Sequence, residues 1–423
     1  MAKWKIYTPE GVQDILFEEC FLKRNLEGKI RSLFGSWGYY EIETPTLEFY
    51  DVFSAETEAA PQETMFKFFD QQGRILVLRP EITIPVARIS ATKYRDMNLP
   101  ARYSYIGNTF KYNELGGGKQ KEFTQAGVEI IGVNTPEADA EVIATAINAV
   151  RATGLENFQI DIGQVEFFKG LMEEAGLPAQ DIEQMRILID RKDFLGVEEL
   201  VKRQNIGDEL KELILSLPGL FGSLDVIEKV GKVTFNKRSL NALENLRNVL
   251  EILEDYDLSR YVTVDLGMVQ SLNYYTGIIF RGFTYGVGFP VLSGGRYDNL
   301  VGKFGKECPA IGFSLGINMV MMALERQKIA SEKPKTDSLI CCKKEGRSTA
   351  YRLCGELRKQ GLVIEMSIIE NDIEAVKKYA AGKSIGGIIN VLDGENIQLY
   401  DIEKGSISNV TVTELIGKEP AGR

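Results

Sequence analysis

Two runs, "ARYSYIGNTFKYNE" (101–114) and "QKEFTQAGVEIIGV" (120–133), alternate polar and apolar residues and meet at the short loop "LGGGKQ" (115–120). Period-two alternation marks a strand with one buried face. A glycine-rich link this short can only join the strands antiparallel, because a parallel pair needs a long crossover. The chain is therefore committed to an antiparallel sheet, and other elements must cover it. Helical spacing shows two that can. "EECFLKRNLEGKIRSLFGSWG" sets Phe21, Leu22, Leu26, Ile30, Leu33 and Phe34 on one face and ends at Gly35 and Gly38. "TPEADAEVIATAINAVRATG" has Thr135 placed to cap a helix and Pro136 at its first position, where a missing N–H costs little.

The same reading extends along the chain. "YYEIETPTLEFYDVF" alternates as a strand broken at Pro45, and "MFKFFDQQGRILVLRPE" reads as a hairpin around "DQQG". "ITIPVARISATKY" is a helix with Pro85 in its first turn, and "FQIDIGQ" is a strand. From about 165 to 261 the pattern is helical only, an insertion between strands. "YVTVDLGMV" and "GIIFRGFTY" then return to strand, while "SGGRYDNLV" reads as a loop or turn built for close backbone approach. "AIGFSLGINMVMMALERQ" passes from strand to helix. Residues 1–325 thus form one large α+β domain, 326–336 a polar linker, and 337–423 a small α/β domain of interleaved strands and helices.

Composition removes several classes of function. Of the residues 44% are hydrophobic and 26% charged, ordinary for a soluble globular protein, and the net charge of −10 argues against a nucleic-acid partner. No run is long enough to span a membrane, and "MAKWKIYTPEGVQD" has no apolar secretory core, so a cytoplasmic location is expected. The five cysteines show no metal or redox spacing and are expected to be core residues in a reducing compartment. There is no histidine at all, which excludes a histidine-based triad, a histidine-ligated metal and an imidazole base. No cofactor or metal is expected.

"MVQSLNYYTG" (268–277) carries two adjacent tyrosines before a Thr-Gly turn, the makings of a small-molecule pocket. The position where a phosphate-handling site wants a cation is Gln270. If Tyr274 and Tyr275 lie on a strand, one faces the ligand and the other packs behind it; Tyr275 is expected at the ligand. Glu81 in "LRPEIT" can cap a helix or pair with Arg79. Gly116 to Gly118 can be a plain hairpin tip, and Lys119 and Lys121 solvated loop charges.

These segments, in this order, resemble the class II aminoacyl-tRNA synthetases, and among them the histidyl-tRNA synthetases, over about residues 5 to 325. "FGSWGYYEIETPTLE" looks like motif 1, ending at Pro45, which in the family forms a homodimer interface. "GNTFKYNELGGGKQKEFTQAGVE" looks like motif 2 and "AIGFSLGINMV" like motif 3. "MVQSLNYYTG" and "LSGGRYDNLV" stand at the two histidine-pocket signatures. The resemblance implies a histidine pocket made by Glu81, Thr83, Gln125, Glu129, Tyr274 and Tyr275. Glu81 and Thr83 would take the amino group; Glu129 and Tyr275 would take the imidazole.

The adenylation arginines that the family carries are replaced by Lys111 in motif 2, Gln270 in the histidine loop and Met319 in motif 3. Arg and Lys are not interchangeable at bidentate phosphate sites, and Gln and Met carry no charge. From Ser331 to Arg423 there are 14 basic and 14 acidic residues, a balance unlike that of a domain gripping an anticodon stem. This combination is similar to the regulatory subunits of ATP phosphoribosyltransferase. The resemblance then implies a non-catalytic partner of a short-form catalytic subunit, with histidine as feedback ligand. A divergent histidyl-tRNA synthetase using Lys111 is the alternative.

Overall fold

The computed structural model describes residues 6–53, 62–96, 98–112, 120–204, 206–269, 274–330, 332–369, 372–402 and 404–416. Gln270, Gly116 to Gly118 and Lys119 lie outside them. The chain divides into two compact units, Met1–Ser331 and Glu332–Arg423.

The first unit opens with α1 (Phe17–Ser36), β1 (Tyr40–Glu41) and β2 (Leu47–Phe49), followed by β3 (Lys67–Phe69), β4 (Ile75–Leu78) and α2 (Thr83–Thr92). The founding hairpin is β5 (Ala101–Phe110) with β6 (Glu122–Ile131), antiparallel with Tyr103 opposite Glu129 and Tyr105 opposite Gly127. Next come α3 (Pro136–Ala152) and β7 (Phe158–Gln164). In α3, Thr135 caps the helix by accepting from the Ala138 N–H.

The insertion holds α4 (Val165–Glu174), α5 (Ala179–Asp190), α6 (Phe194–Lys202), α7 (Asp208–Ser216), β8 (Phe221–Gly222), α8 (Leu224–Val230) and α9 (Lys237–Asp255). The helices-only expectation therefore needs correction. Phe221 and Gly222 pair antiparallel with Asp265 and Val264 and edge the main sheet, and two residues are too few to show a period. The unit closes with β9 (Val262–Asp265), β10 (Ile278–Thr284), β11 (Leu292–Arg296), β12 (Ala310–Gly316) and α10 (Ile317–Arg326).

Among the described residues these strands build a nine-stranded sheet, β1-β5-β6-β12-β11-β10-β7-β9-β8, antiparallel except for β1–β5 and β7–β9. A smaller sheet, β2-β4-β3, stands apart from it. The largest core gathers α1, α3, α9 and α10 against the sheet around Leu26, Ile147, Leu246 and Phe313. A second core packs α2 around Tyr105 and Tyr297.

The loop read into "SGGRYDNLV" is a central strand instead. Ser293 to Gly295 pair with both β10 and β12, and Arg296 pairs with β12. A Cβ on Gly294 would stand 2.5 Å from the Gly312 carbonyl oxygen, and one on Gly295 would stand 2.8 Å from the Tyr275 ring. The glycines admit the close approach of sheet neighbours rather than a turn, and both also line the cavity described below, as a close backbone approach to a ligand requires.

The second unit is β13 (Ser338–Cys342), α11 (Arg347–Lys359), β14 (Ile364–Met366), α12 (Ile373–Gly382), β15 (Gly387–Val391), β16 (Asn396–Asp401), β17 (Ser406–Thr411) and α13 (Val412–Ile416), with sheet order β14-β13-β15-β16-β17. Cys308, Cys341 and Cys354 are buried, but Cys20 and Cys342 are only half-buried, against the expectation of five core thiols.

Candidate functional site

Strand β6 turns Gln125, Gly127 and Glu129 to one face, two residues apart. Glu129 has no exposed surface. Its Oε1 accepts from Thr83 Oγ1 at 2.8 Å and Tyr105 Oη at 3.2 Å, and its Oε2 accepts from the Tyr297 hydroxyl. Two glycines make room for this arrangement. A Cβ on Gly127 would lie 2.5 Å from Tyr105 Oη, and a Cβ on Gly312, opposite Glu129 on β12, would lie 1.5 Å from Glu129 Oε2. Burial outweighs the three hydroxyl donors and pushes the Glu129 carboxyl up to about 8, with the charge of Glu81 adding to the rise.

Beside it opens a cavity of about 180 Å³. Glu81, Thr83, Gln125, Tyr274 and Tyr275 line it together with Lys111. Glu81 Oε1 accepts the Ile84 N–H at 2.7 Å, so it caps the first turn of α2 while its carboxyl stays at the cavity. Arg79 does not pair with it: Nε donates to the Asn108 carbonyl at 2.8 Å and Nη1 to Thr44. Burial raises the Glu81 carboxyl and lowers the Lys111 ammonium, and each charge partly offsets the other's shift. Lys111 is the one basic side chain among the described residues lining the cavity. Gln125 Oε1 is buried and accepts from no protein donor.

Both tyrosines of the pair line the cavity, so the expectation that one packs behind does not hold. The reason is local. Strand β10 begins only at Ile278, so the alternation that separates neighbours does not reach Tyr274 and Tyr275. Their rings meet edge to face at 4.9 Å, and Tyr274 stacks on Tyr297 at 5.8 Å.

Glu129 itself is not at the cavity surface; it lies under Gly312 and reaches the cavity through Thr83 and Tyr297. Met319, in the first turn of α10, packs half-buried against the largest core and does not line the cavity. Lys121 is half-buried rather than solvated, with its ammonium 5.0 Å from the Tyr112 ring centre.

Residues 11–320 match the family model described as histidyl-tRNA synthetase. The ATP phosphoribosyltransferase regulatory subunit of Acetivibrio thermocellus is 70% identical over 416 residues, covering 98% of this chain and all of that protein. This chain belongs to the family of ATP phosphoribosyltransferase regulatory subunits. The member from Ruminiclostridium cellulolyticum is 57% identical, over 99% of this chain and all of that one. The family resemblance extends to solved structures. One, described as an ATP phosphoribosyltransferase regulatory subunit/histidyl-tRNA synthetase from Bacillus halodurans C, aligns with a TM-score of 0.83 at 32% identity, covering 92% of this chain and 99% of that chain. A histidyl-tRNA synthetase from Nostoc sp. PCC 7120 aligns with a TM-score of 0.84 at 21% identity, covering 98% and 99%, a likeness of fold alone.

Two site residues escaped the sequence reading. Tyr297 stands two places beyond Gly295, on the same side of the chain, and Tyr105 lies opposite Gly127 in the hairpin. The glycine at 127 was the available signal, since a gap in one strand invites a large neighbour from the next.

The raised Glu129 carboxyl sets a pH dependence. Its folded value near 8 exceeds the ordinary 4.5, so within that window the folded chain holds a proton that the unfolded chain has released. Stability therefore falls as pH rises through the window, with a slope approaching about 1.4 kcal/mol per pH unit. Asp139, raised to about 6, acts in the same direction lower down. Urea unfolding between pH 6 and 8 should show this decline in the native chain and a flatter profile in Glu129→Gln. Equal slopes in the two would mean that Glu129 does not hold the proton.

Proposed function

We propose that the cavity binds free histidine. On this reading the chain is the non-catalytic, cytoplasmic sensor of a complex whose short-form catalytic subunit joins ATP and phosphoribosyl pyrophosphate. The complex makes phosphoribosyl-ATP, the first intermediate of histidine biosynthesis, without a cofactor held by this chain.

One observation carries the ligand assignment: the buried Gln125 oxygen without a donor stands in one small cavity with the Glu81 carboxyl. Together with the Thr83 hydroxyl they present acceptors suited to an α-ammonium group. Lys111 supplies the cation that a free carboxylate needs. Tyr275 is assigned to the imidazole, with Glu129 acting from behind the wall through Thr83 and Tyr297, and Tyr274 to the cavity wall. The cavity falls short of the roughly 300–1,000 Å³ usual for drug-sized ligands and suits a single amino acid.

The same residues support the absence of adenylation. Lys111 alone stands where the related synthetases have arginine, Met319 is packed away from the cavity, and Gln270 carries no charge. One preorganised electrostatic donor is worth about 10²–10³ in rate, so losses at three positions leave no useful activity. No histidine-dependent ATP–pyrophosphate exchange is expected from the purified chain; exchange at synthetase-like rates would restore the alternative reading.

A homodimer is part of the proposal. The small β2-β4-β3 sheet leaves Leu47, Phe49 and Phe68 exposed on one face, an apolar patch next to the Pro45 segment. Light scattering at micromolar concentration is expected to give a dimer mass, and a clean monomer would remove this element.

The sensor itself is tested by Glu129→Ala. Losing this buried acceptor frees the Thr83 and Tyr297 hydroxyls from their places in the wall, and one lost hydrogen bond to the ligand's charged ammonium costs about 1.5–3 kcal/mol, or roughly tenfold to a hundredfold in affinity. Calorimetry should show histidine binding weakened to that extent. The complex reconstituted with the variant should still assemble but resist inhibition by histidine, because a ligand that no longer binds shifts no equilibrium. Unchanged binding, or lost binding with inhibition intact, would place the sensor on the catalytic subunit.

A further inference from the structure

Gly295 in strand β11 and Tyr297 just beyond its end face the first cavity, and Arg296 between them points the other way. There, beside α3 and α9, lies a second cavity of about 310 Å³. An ion pair forms its floor. Arg296 donates from Nε at 2.9 Å and from Nη2 at 2.7 Å, both to Asp139 Oδ1, and the two side chains are only 3% and 1% exposed. Nη1 of Arg296 donates to Asp298 Oδ1 and to the Val133 carbonyl, each at 3.0 Å. Two carboxylates thus share one guanidinium, and this group is one positive charge short. The shortfall falls on Asp139 Oδ2, which is buried and has no protein donor in hydrogen-bonding geometry, although the Asn245 amide stands near enough to favour the charged carboxylate.

The rest of the wall is polar. Gln164 and Asn245 are fixed to each other by a 3.1 Å hydrogen bond, Thr276 adds a hydroxyl, and Asn241 stands exposed at the mouth. Arg238 at the rim is already committed to Glu166 and Glu173. Among the described lining residues none is aromatic. That argues against a nucleobase, which needs a stacking face, and against a quaternary ammonium, which needs an aromatic cage. An anion would meet the unpaired carboxylate oxygen. What fits is a compact cation with N–H donors.

We propose that this second cavity binds a small hydrophilic primary amine, its ammonium donating to Asp139 Oδ2 and its polar body held by the amide wall. No lining residue is shared with the first cavity. The strand β11 common to both gives the amine a direct mechanical route to Tyr297 and the Glu129 cluster.

The probe is ethanolamine, followed by ligand-observed NMR with choline as a control of similar polarity that lacks N–H donors. Saturable binding of ethanolamine but not of choline is expected. It should survive Glu81→Ala, which removes the competing carboxylate of the first cavity. It should weaken at least tenfold in Asp139→Asn and in Asn241→Trp. The second of these fills the mouth from an exposed position on α9 and leaves the buried ion pair untouched, so it decides the matter if Asp139→Asn fails to fold. The proposal is overturned by any of three results: no saturation, as when water alone satisfies Oδ2; equal binding of choline; or binding that Glu81→Ala abolishes or Asn241→Trp leaves unchanged.

Discussion

A carboxylate cannot lie in a protein interior without donors, and Glu129 meets that demand from three directions. Thr83 comes from α2, Tyr105 from β5 and Tyr297 from just beyond β11, so one buried group ties together elements spread over about half the chain. The hairpin supplies its register, and glycines at 127 and 312 supply its space. The orientation of the cavity wall follows from this knot: Thr83 presents its oxygen, and Tyr297 gives Tyr274 a ring to stack on. Burying a polar cluster in this way gains little stability over an apolar one, and its value lies in fixing positions.

Much of this was legible in the sequence. Period-two runs and a short glycine link determine the β5–β6 pair, and Thr135 with Pro136 marks the start of α3, because these signals are local. Glu81, Thr83, Gln125, Tyr274 and Tyr275, to which the sequence motifs point, converge on one cavity. The failures share a physical cause, since each depends on a partner distant in sequence. Ser293 to Gly295 have the composition of a turn and become a central strand because two neighbours flank them. Phe221 and Gly222 become strand only because β9 runs beside them. Likewise Tyr105 and Tyr297 acquire a role from Glu129, which no short window contains. Gln270 lies outside the described residues, so its part in the reading rests on sequence alone.

Among the described residues the cavity wall has a single basic group, and that group is weakened by burial. Such a wall can hold a zwitterion, whose own ammonium and carboxylate answer Glu81 and Lys111. It is poorly equipped for a triphosphate, which brings several negative charges and no positive one. Regulation through an amino acid pocket, as proposed for this cavity, asks less of a protein than catalysis does: it needs differential affinity between two states, not stabilisation of a developing charge.

The proton on Glu129 also affects how any ligand of this cavity is weighed. A group titrating near 8 is only partly protonated in neutral to mildly alkaline solution, so a ligand that changes its surroundings takes up or expels a fraction of a proton. That fraction is exchanged with the buffer, and the heat recorded in a titration includes the buffer's own ionisation enthalpy. Binding enthalpies for this chain therefore acquire meaning only when buffers of different ionisation heat are compared, and the slope of that comparison counts the protons moved.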